Sequence, residues 1–137
     1  MNERIDRELL TRLQAARANA YAPYSRFRVA AAVETEDGAT FIGCNVETAH
    51  FKSACAEASA LSAMALAGAR TVRRVWILAD GDAPCPPCGD CRQRLREFDD
   101  NGTAEILLLA PDGTIARRFR LAELLPHAFG PEFTPQR

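Results

Sequence analysis

Between residues 5 and 20, apolar Ile5, Leu9, Leu10, Leu13, Ala16 and Ala20 recur every three or four positions, with polar residues between them. That spacing lines one face of a helix. Ala22-Pro23-Tyr24-Ser25 ends it, since the position before a proline avoids helical torsions. Arg28 to Thr35 and Ala39 to Val46 are rich in small and β-branched residues. Glu36-Asp37-Gly38 between them reads as a hairpin turn. A second helix fits Cys55 to Ala67, closed by Gly68. Arg74 to Ala79 is an unbroken apolar run after its first residue, the pattern of a buried strand. Pro84 to Pro87 is a rigid proline-rich loop, and a third helix opens near Gly89 and runs to about Phe98. Ala104 to Ala110 predicts another buried strand, Pro111-Asp112-Gly113 a turn, and Thr114 to Arg120 a last strand. A short helix, Leu121 to Leu125, precedes a Pro/Gly-rich tail.

The predicted order is α-β-β-α-β-α-β-β-α. The two hairpins supply antiparallel pairs, and strands separated by helices imply parallel ones. The expected fold is α/β: a three-layer α-β-α arrangement around a five-stranded mixed sheet, in one domain over residues 1–137. The starts of the second and third helices can then meet at one end of the sheet.

Composition narrows the function. The apolar fraction is 47% and the charged fraction 26%, values that suit a packed globular core rather than disorder. No run of about 18 apolar residues predicts a membrane span. The stretch Met1 to Arg7 is charged and lacks the apolar centre of an export signal, so a cytoplasmic protein is expected. Seventeen basic residues are scattered among 18 acids for a net charge of −1. Arg92, Arg94 and Arg96 form the densest basic set, but alternate residues of a helix point in different directions. They read as a solvated face with one buried pairing, not as a phosphate track, and a polymeric nucleic acid is excluded as substrate. The five cysteines suit metal ligands, nucleophiles or core positions better than disulfides.

Two segments concentrate chemistry: Ala54-Cys55-Ala56-Glu57, and Pro87-Cys88-Gly89-Asp90-Cys91-Arg92-Gln93. Both fall at predicted helix starts. Thiolates bind zinc well, and Cys-x-x-Cys lets one loop supply two ligands. Free amides and the dipole at a helix N-terminus favour anionic sulfur. Cys85-Pro86-Pro87-Cys88 is also a Cys-x-x-Cys, but its two prolines have no N–H to offer a sulfur. Cys88 and Cys91 are therefore preferred, with Cys55 as third ligand and the fourth position left to water, the pattern of a catalytic zinc site. Cys85 as a fourth ligand, closing a structural site, stays open. Cys44 reads as a strand residue of the core. Glu57, two residues from Cys55, is the candidate general acid and base for a water whose pKa zinc lowers to about 7. A zinc-bound His or Cys, a nearby Glu and Pro-Cys-x-x-Cys together form the signature of nucleobase deaminases.

With these residues the chain resembles the cytidine deaminase family, in its short, all-cysteine, homotetrameric type. Ala22-Pro23-Tyr24-Ser25-x-Phe27-x-Val29 resembles the family's opening signature, and Asn45-Val46-Glu47-x-Ala49 its ribose-binding segment. Cys55-Ala56-Glu57 and Pro87-Cys88-Gly89-x-Cys91-Arg92-Gln93 resemble its zinc site, and Leu124-Leu125-Pro126-x-x-Phe129-Gly130-Pro131-Glu132 its C-terminus. The resemblance implies hydrolytic deamination of cytidine and deoxycytidine in pyrimidine salvage, with zinc as the cofactor and a homotetramer as the working form. It implies that Asn45 and Glu47 hold the ribose 3′-hydroxyl, that Phe27 lines the base pocket, and that the Ala56 amide donates to the base O2. Phe129 would cover a neighbouring subunit's pocket.

Three features depart from the pattern. Many all-cysteine members carry Arg immediately after the Glu, where this chain has Ala58. Zinc with three thiolates bears a net negative charge, and Arg92 with the two helix starts is expected to compensate it. His50-Phe51 replaces a small residue followed by Tyr, and Lys52-Ser53 is also unlike the usual continuation. Cys85-Pro86 stands where the family often has an apolar residue and Ser. Two other readings remain: a deaminase of a different aminopyrimidine nucleoside or of a nucleoside antibiotic, resembling blasticidin-S deaminases, and a non-catalytic zinc-stabilised binding module.

Overall fold

The structure, a computed structural model, describes residues 2–135. In chain order the elements are α1 (Arg7–Ala18), β1 (Val29–Thr35), β2 (Thr40–Cys44), α2 (Ala56–Leu66) and β3 (Val72–Ala79). They continue with α3 (Gly89–Arg96), β4 (Glu105–Leu109), β5 (Ile115–Arg120) and α4 (Leu121–Leu124). The Asp6 carboxylate caps α1 by accepting from the Glu8 and Leu9 amides at 3.1 and 3.3 Å. Helix α2 runs out just before Gly68, whose φ of +92° suits a residue without a Cβ.

The strands form one mixed sheet in the order β2-β1-β3-β4-β5. Strand β1 pairs antiparallel with both β2 and β3, β3 pairs parallel with β4, and β4 antiparallel with β5. Both predicted hairpins form. The β2-α2-β3 connection joins strands that run the same way, but β1 lies between them, so they are not the adjacent pair that the order of elements suggests.

This topology puts the two helix starts together. The paths β2→β3 and β3→β4 advance across the sheet in the same direction, so right-handed crossovers place α2 and α3 on the same face. Because β2 and β3 point the same way, both helices begin at the same end of the sheet. On that face Ala60, Leu61 and Met64 of α2 and Leu95 of α3 pack with Val33, Val75, Ile77, Ile106 and Leu108. The opposite face is covered by α1, where Leu13 is fully buried against Ala30, Ala32, Trp76, Leu78, Leu107 and Leu109. Among the described residues no helix is long and apolar enough to cross a membrane.

Candidate active site

The site begins with the proximity of α2 to β2. Gly43 lies under the first turns of α2: a Cβ there would stand 2.4 Å from the Ala60 nitrogen and 2.7 Å from the Ala56 carbonyl oxygen. The Ser59 hydroxyl donates to the Cys44 carbonyl at 2.9 Å and fastens the same seam. Beyond β2 the chain continues extended. Val46 exchanges two backbone hydrogen bonds of 2.9 Å with Ala54, the residue immediately before Cys55. On the other side, Tyr21 donates to the Asn45 carbonyl and accepts from the Glu47 amide, at 2.9 and 2.8 Å. The segment bearing Asn45 and Glu47 is thereby fixed beside the α2 start.

Cys55 is the N-cap residue of α2 and Cys88 that of α3. The Cys88 sulfur accepts from the Cys91 amide at 3.4 Å, so the α3 N-terminus supports it. Cys91, one turn in, is buried. The three sulfurs lie within 4.8 Å of one another, and those of Cys55 and Cys88 are 3.8 Å apart. Tetrahedral zinc with Zn–S bonds of ~2.3 Å requires sulfur–sulfur edges of ~3.8 Å. The donor set therefore fits zinc in type and in spacing. Electrostatics agrees. The Cys55 thiol is pushed down to about 6, first by hydrogen bonding from Cys91 and then from Cys88, while Cys91 is pushed up by its bond to Cys55 and by burial. Three sulfurs this close do not ionise together unless a cation sits among them.

Glu57 is 4% exposed and unpaired with any basic side chain in the described hydrogen bonds and ion pairs. Burial raises its pKa to about 6, and the negative field of Cys55 adds to the rise. A carboxyl poised near neutrality can both accept and return a proton. Helix α2 has no side-chain cap, so its first amides, Ala56 among them, are available to a ligand.

A cavity of about 320 Å³ opens over these groups, lined by Ser25, Phe27, Val29, Asn45, Glu47, Cys55, Ala56, Glu57, Cys85, Pro86 and Cys88. It thus joins four of the five expected substrate contacts to the acid and two of the sulfurs. Phe27 is 42% exposed at its rim. The Asn45 carboxamide accepts from the Val29 amide at 2.8 Å and donates to the Phe27 carbonyl at 2.9 Å. One lone pair and one N–H remain for a ligand. Glu47 accepts from the Ser25 hydroxyl and from the Ser25 and Tyr24 amides, the latter two at 3.0 Å each, and these bonds hold its carboxyl below the usual range. Glu47 therefore organises the loop carrying Phe27 before any ligand arrives.

Phe129, the fifth expected contact, lies outside this cavity. It is 61% exposed and stacks on Phe133 with ring centroids 5.8 Å apart. Gln93 donates to the Phe129 carbonyl at 2.9 Å, and buried Arg96 pairs with Glu132, so α3 anchors the tail that displays the ring.

Arg92 is held by two backbone carbonyls. Its guanidinium donates to the Pro87 carbonyl at 2.8 Å and the Leu124 carbonyl at 2.9 Å, bracing the ligand loop against α4. Among the described residues no sulfur accepts a hydrogen bond from it; spacing along α3 does not reveal that two carbonyls converge on it. Cys85 lines the cavity but stands outside the three-sulfur cluster, its thiol kept neutral by burial. The bond from Ser25 to Glu47 is not legible in the sequence, because nothing in the local pattern ties positions so far apart. Phe51 is exposed and tilted against Tyr24, with a ring separation of 6.4 Å.

Residues 3–105 match the family model of the cytidine and deoxycytidylate deaminase zinc-binding region. The chain belongs to this deaminase family. A cytidine deaminase of Sporosarcina psychrophila is 39% identical over 91% of each chain. One from Halalkalibacterium halodurans is 40% identical over 93% of this chain and 97% of its own. The crystal structure of cytidine deaminase from Burkholderia pseudomallei superposes with a TM-score of 0.80 at 39% identity, covering 91% of this chain and all of that one. That from Mycobacterium tuberculosis gives 0.77 at 34% identity, covering 92% and 98%. Both share the mixed α/β architecture described above.

Proposed function

We propose that this chain hydrolyses cytidine, and deoxycytidine, to uridine or deoxyuridine and ammonia. Zinc is held by Cys55, Cys88 and Cys91, and Glu57 carries the protons. The observation that supports this most is the convergence of three sulfurs at zinc spacing beside a buried glutamate without a basic partner among the described residues, in a cavity of about 320 Å³. Family membership and relatives named cytidine deaminase point the same way.

Zinc bound to the three sulfurs would polarise a water molecule and make it a nucleophile at neutral pH. Glu57 takes a proton from that water and delivers it to N3 of the base, which makes C4 electrophilic. Water oxygen adds at C4. Glu57 then carries the second proton to the exocyclic amine, which departs as ammonia. The Ala56 amide holds the base O2, Phe27 packs against the ring, and Asn45 with Glu47 binds the ribose 3′-hydroxyl. Phe129 covers the cavity of a neighbouring subunit, which makes the enzyme a homo-oligomer, a homotetramer by resemblance. Residues 1–137 form one catalytic domain, working in the cytoplasm in pyrimidine salvage.

The deciding experiment combines metal analysis with ultraviolet assays of one sample against cytidine, deoxycytidine, 5-substituted analogues, cytosine and blasticidin S. One zinc per chain and turnover of cytidine and deoxycytidine are expected. Turnover of blasticidin S alone would overturn the substrate, and zinc-loaded protein inert toward the whole panel would overturn the activity.

A further inference from the structure

Both backbone groups of Phe27 are tied to the residues expected to hold the ribose. Its carbonyl accepts from Asn45 Nδ2 at 2.9 Å, and its amide donates to the Ser25 hydroxyl oxygen at 3.0 Å. The Ser25 hydroxyl in turn donates to Glu47 Oε2. A carboxylate only accepts, so the direction of that proton is fixed, and the serine oxygen is left to accept from Phe27. A bond from a serine oxygen to the amide two residues on closes a tight turn. Between the two, Arg26 sits at φ +58°, in the left-handed region that a residue with a Cβ keeps only where its surroundings impose it. The Arg26 amide donates to the Ala22 carbonyl at 2.9 Å and fastens the other side of the turn.

Glu47 has one place left for a sugar hydroxyl. Its Oε1 accepts from the Tyr24 and Ser25 amides at 3.0 Å each, which uses both lone pairs. Its Oε2 accepts from the Ser25 hydroxyl and, among the described hydrogen bonds, keeps one lone pair. A ligand hydroxyl that donates to Glu47 must therefore do so at Oε2, beside the serine oxygen. Ser25, Phe27, Asn45 and Glu47 all line the one cavity. We infer that Ser25 is a positioning residue for substrate binding: its hydroxyl aims Glu47 Oε2 at the ribose 3′-hydroxyl and, through the Phe27 amide, ties the base-packing ring to the same oxygen. It acts through Glu47 and Phe27 and takes no part in the proton transfers. This inference rests on the ribose assignment proposed above.

Ser25 is exposed, so removing its oxygen leaves no buried void. Steady-state kcat and KM are measured by ultraviolet absorbance on the zinc-loaded full chain for wild type, Ser25→Ala and Ser25→Thr, with cytidine and 3′-deoxycytidine as substrates. Wild type should prefer cytidine. The preference, taken as the ratio of the two kcat/KM values, should fall by about three- to tenfold in Ser25→Ala, the worth of one hydrogen bond. The fall should come through a higher KM for cytidine with kcat kept, because the lost contact lies at the sugar and not at C4. Ser25→Thr keeps the hydroxyl and should keep the wild-type preference. A Ser25→Ala preference equal to that of wild type overturns the inference alone, even where both substrates lose turnover, because equal losses mark a loosened loop rather than a misaimed oxygen. A Ser25→Thr variant as indifferent as Ser25→Ala does the same. A wild-type chain that turns over both substrates equally well overturns the ribose assignment, and this inference with it. One inert toward both overturns the proposed activity.

Discussion

Gly43→Ala tests how the fold delivers Glu57 to its place. The added methyl would meet the Ala60 nitrogen at 2.4 Å, the Ser59 Cβ at 2.6 Å and the Ala56 carbonyl oxygen at 2.7 Å. Two of these are backbone atoms and the third is a Cβ, so no flexible side chain can swing aside. Relief to an ordinary contact of ~3.5 Å requires the start of α2 to lift from β2 by about 1 Å. Overpacking of this kind costs about 1–3 kcal/mol, readable as a lower urea midpoint. The same displacement carries Cys55 and Glu57 away from Cys88 and Cys91, which stay with α3. A 1 Å misplacement of reacting groups can cost about a hundredfold in rate. Zinc-loaded Gly43→Ala should therefore lose kcat/KM for cytidine well beyond what its folded fraction explains. Wild-type kcat/KM together with an unchanged urea midpoint would refute the claim that α2 is pressed onto β2 to set the acid.

Three further substitutions separate roles within the site. Asn45→Ala removes the acceptor for the Val29 amide and the donor to the Phe27 carbonyl, so stability should fall by about 1–3 kcal/mol. Its loss in kcat/KM should be smaller for 3′-deoxycytidine than for cytidine, and equal losses would remove Asn45 from the ribose contacts. Cys85→Ala should leave one zinc per chain and a cobalt spectrum of three thiolates; loss of the metal would make Cys85 a ligand. Arg92→Ala frees the Pro87 and Leu124 carbonyls, so zinc binding should weaken in a way that salt does not alter and Arg92→Lys does not repair. A salt-dependent loss would return charge compensation to Arg92.

Much of this fold is legible in the chain because local signals agree with the global solution. The stripe around Leu13, the turn at Glu36-Asp37-Gly38 and the apolar run after Arg74 each fix one element. The insertion of β1 between β2 and β3 is not legible, because strand order depends on which edges remain free after the first hairpin closes. In the site, Cys55, Cys88, Cys91 and Glu57 are readable since their spacing alone ties two helix starts to one chemistry. The tie between Ser25 and Glu47 is not, because residues 22 apart meet only through the bridge of Tyr21 with Asn45 and Glu47. The bracing role of Arg92 is not legible either, because the Pro87 and Leu124 carbonyls that accept from it converge only in the fold.

The central claim is that Glu57 moves the protons while the three sulfurs hold the metal. Its most direct test is the turnover of cytidine by Glu57→Gln, measured on protein whose zinc content has been matched to wild type. The amide keeps the size of the side chain but cannot take up the water's proton, so kcat should fall by several orders of magnitude with zinc retained. Turnover within tenfold of wild type on that zinc-loaded variant would contradict the account.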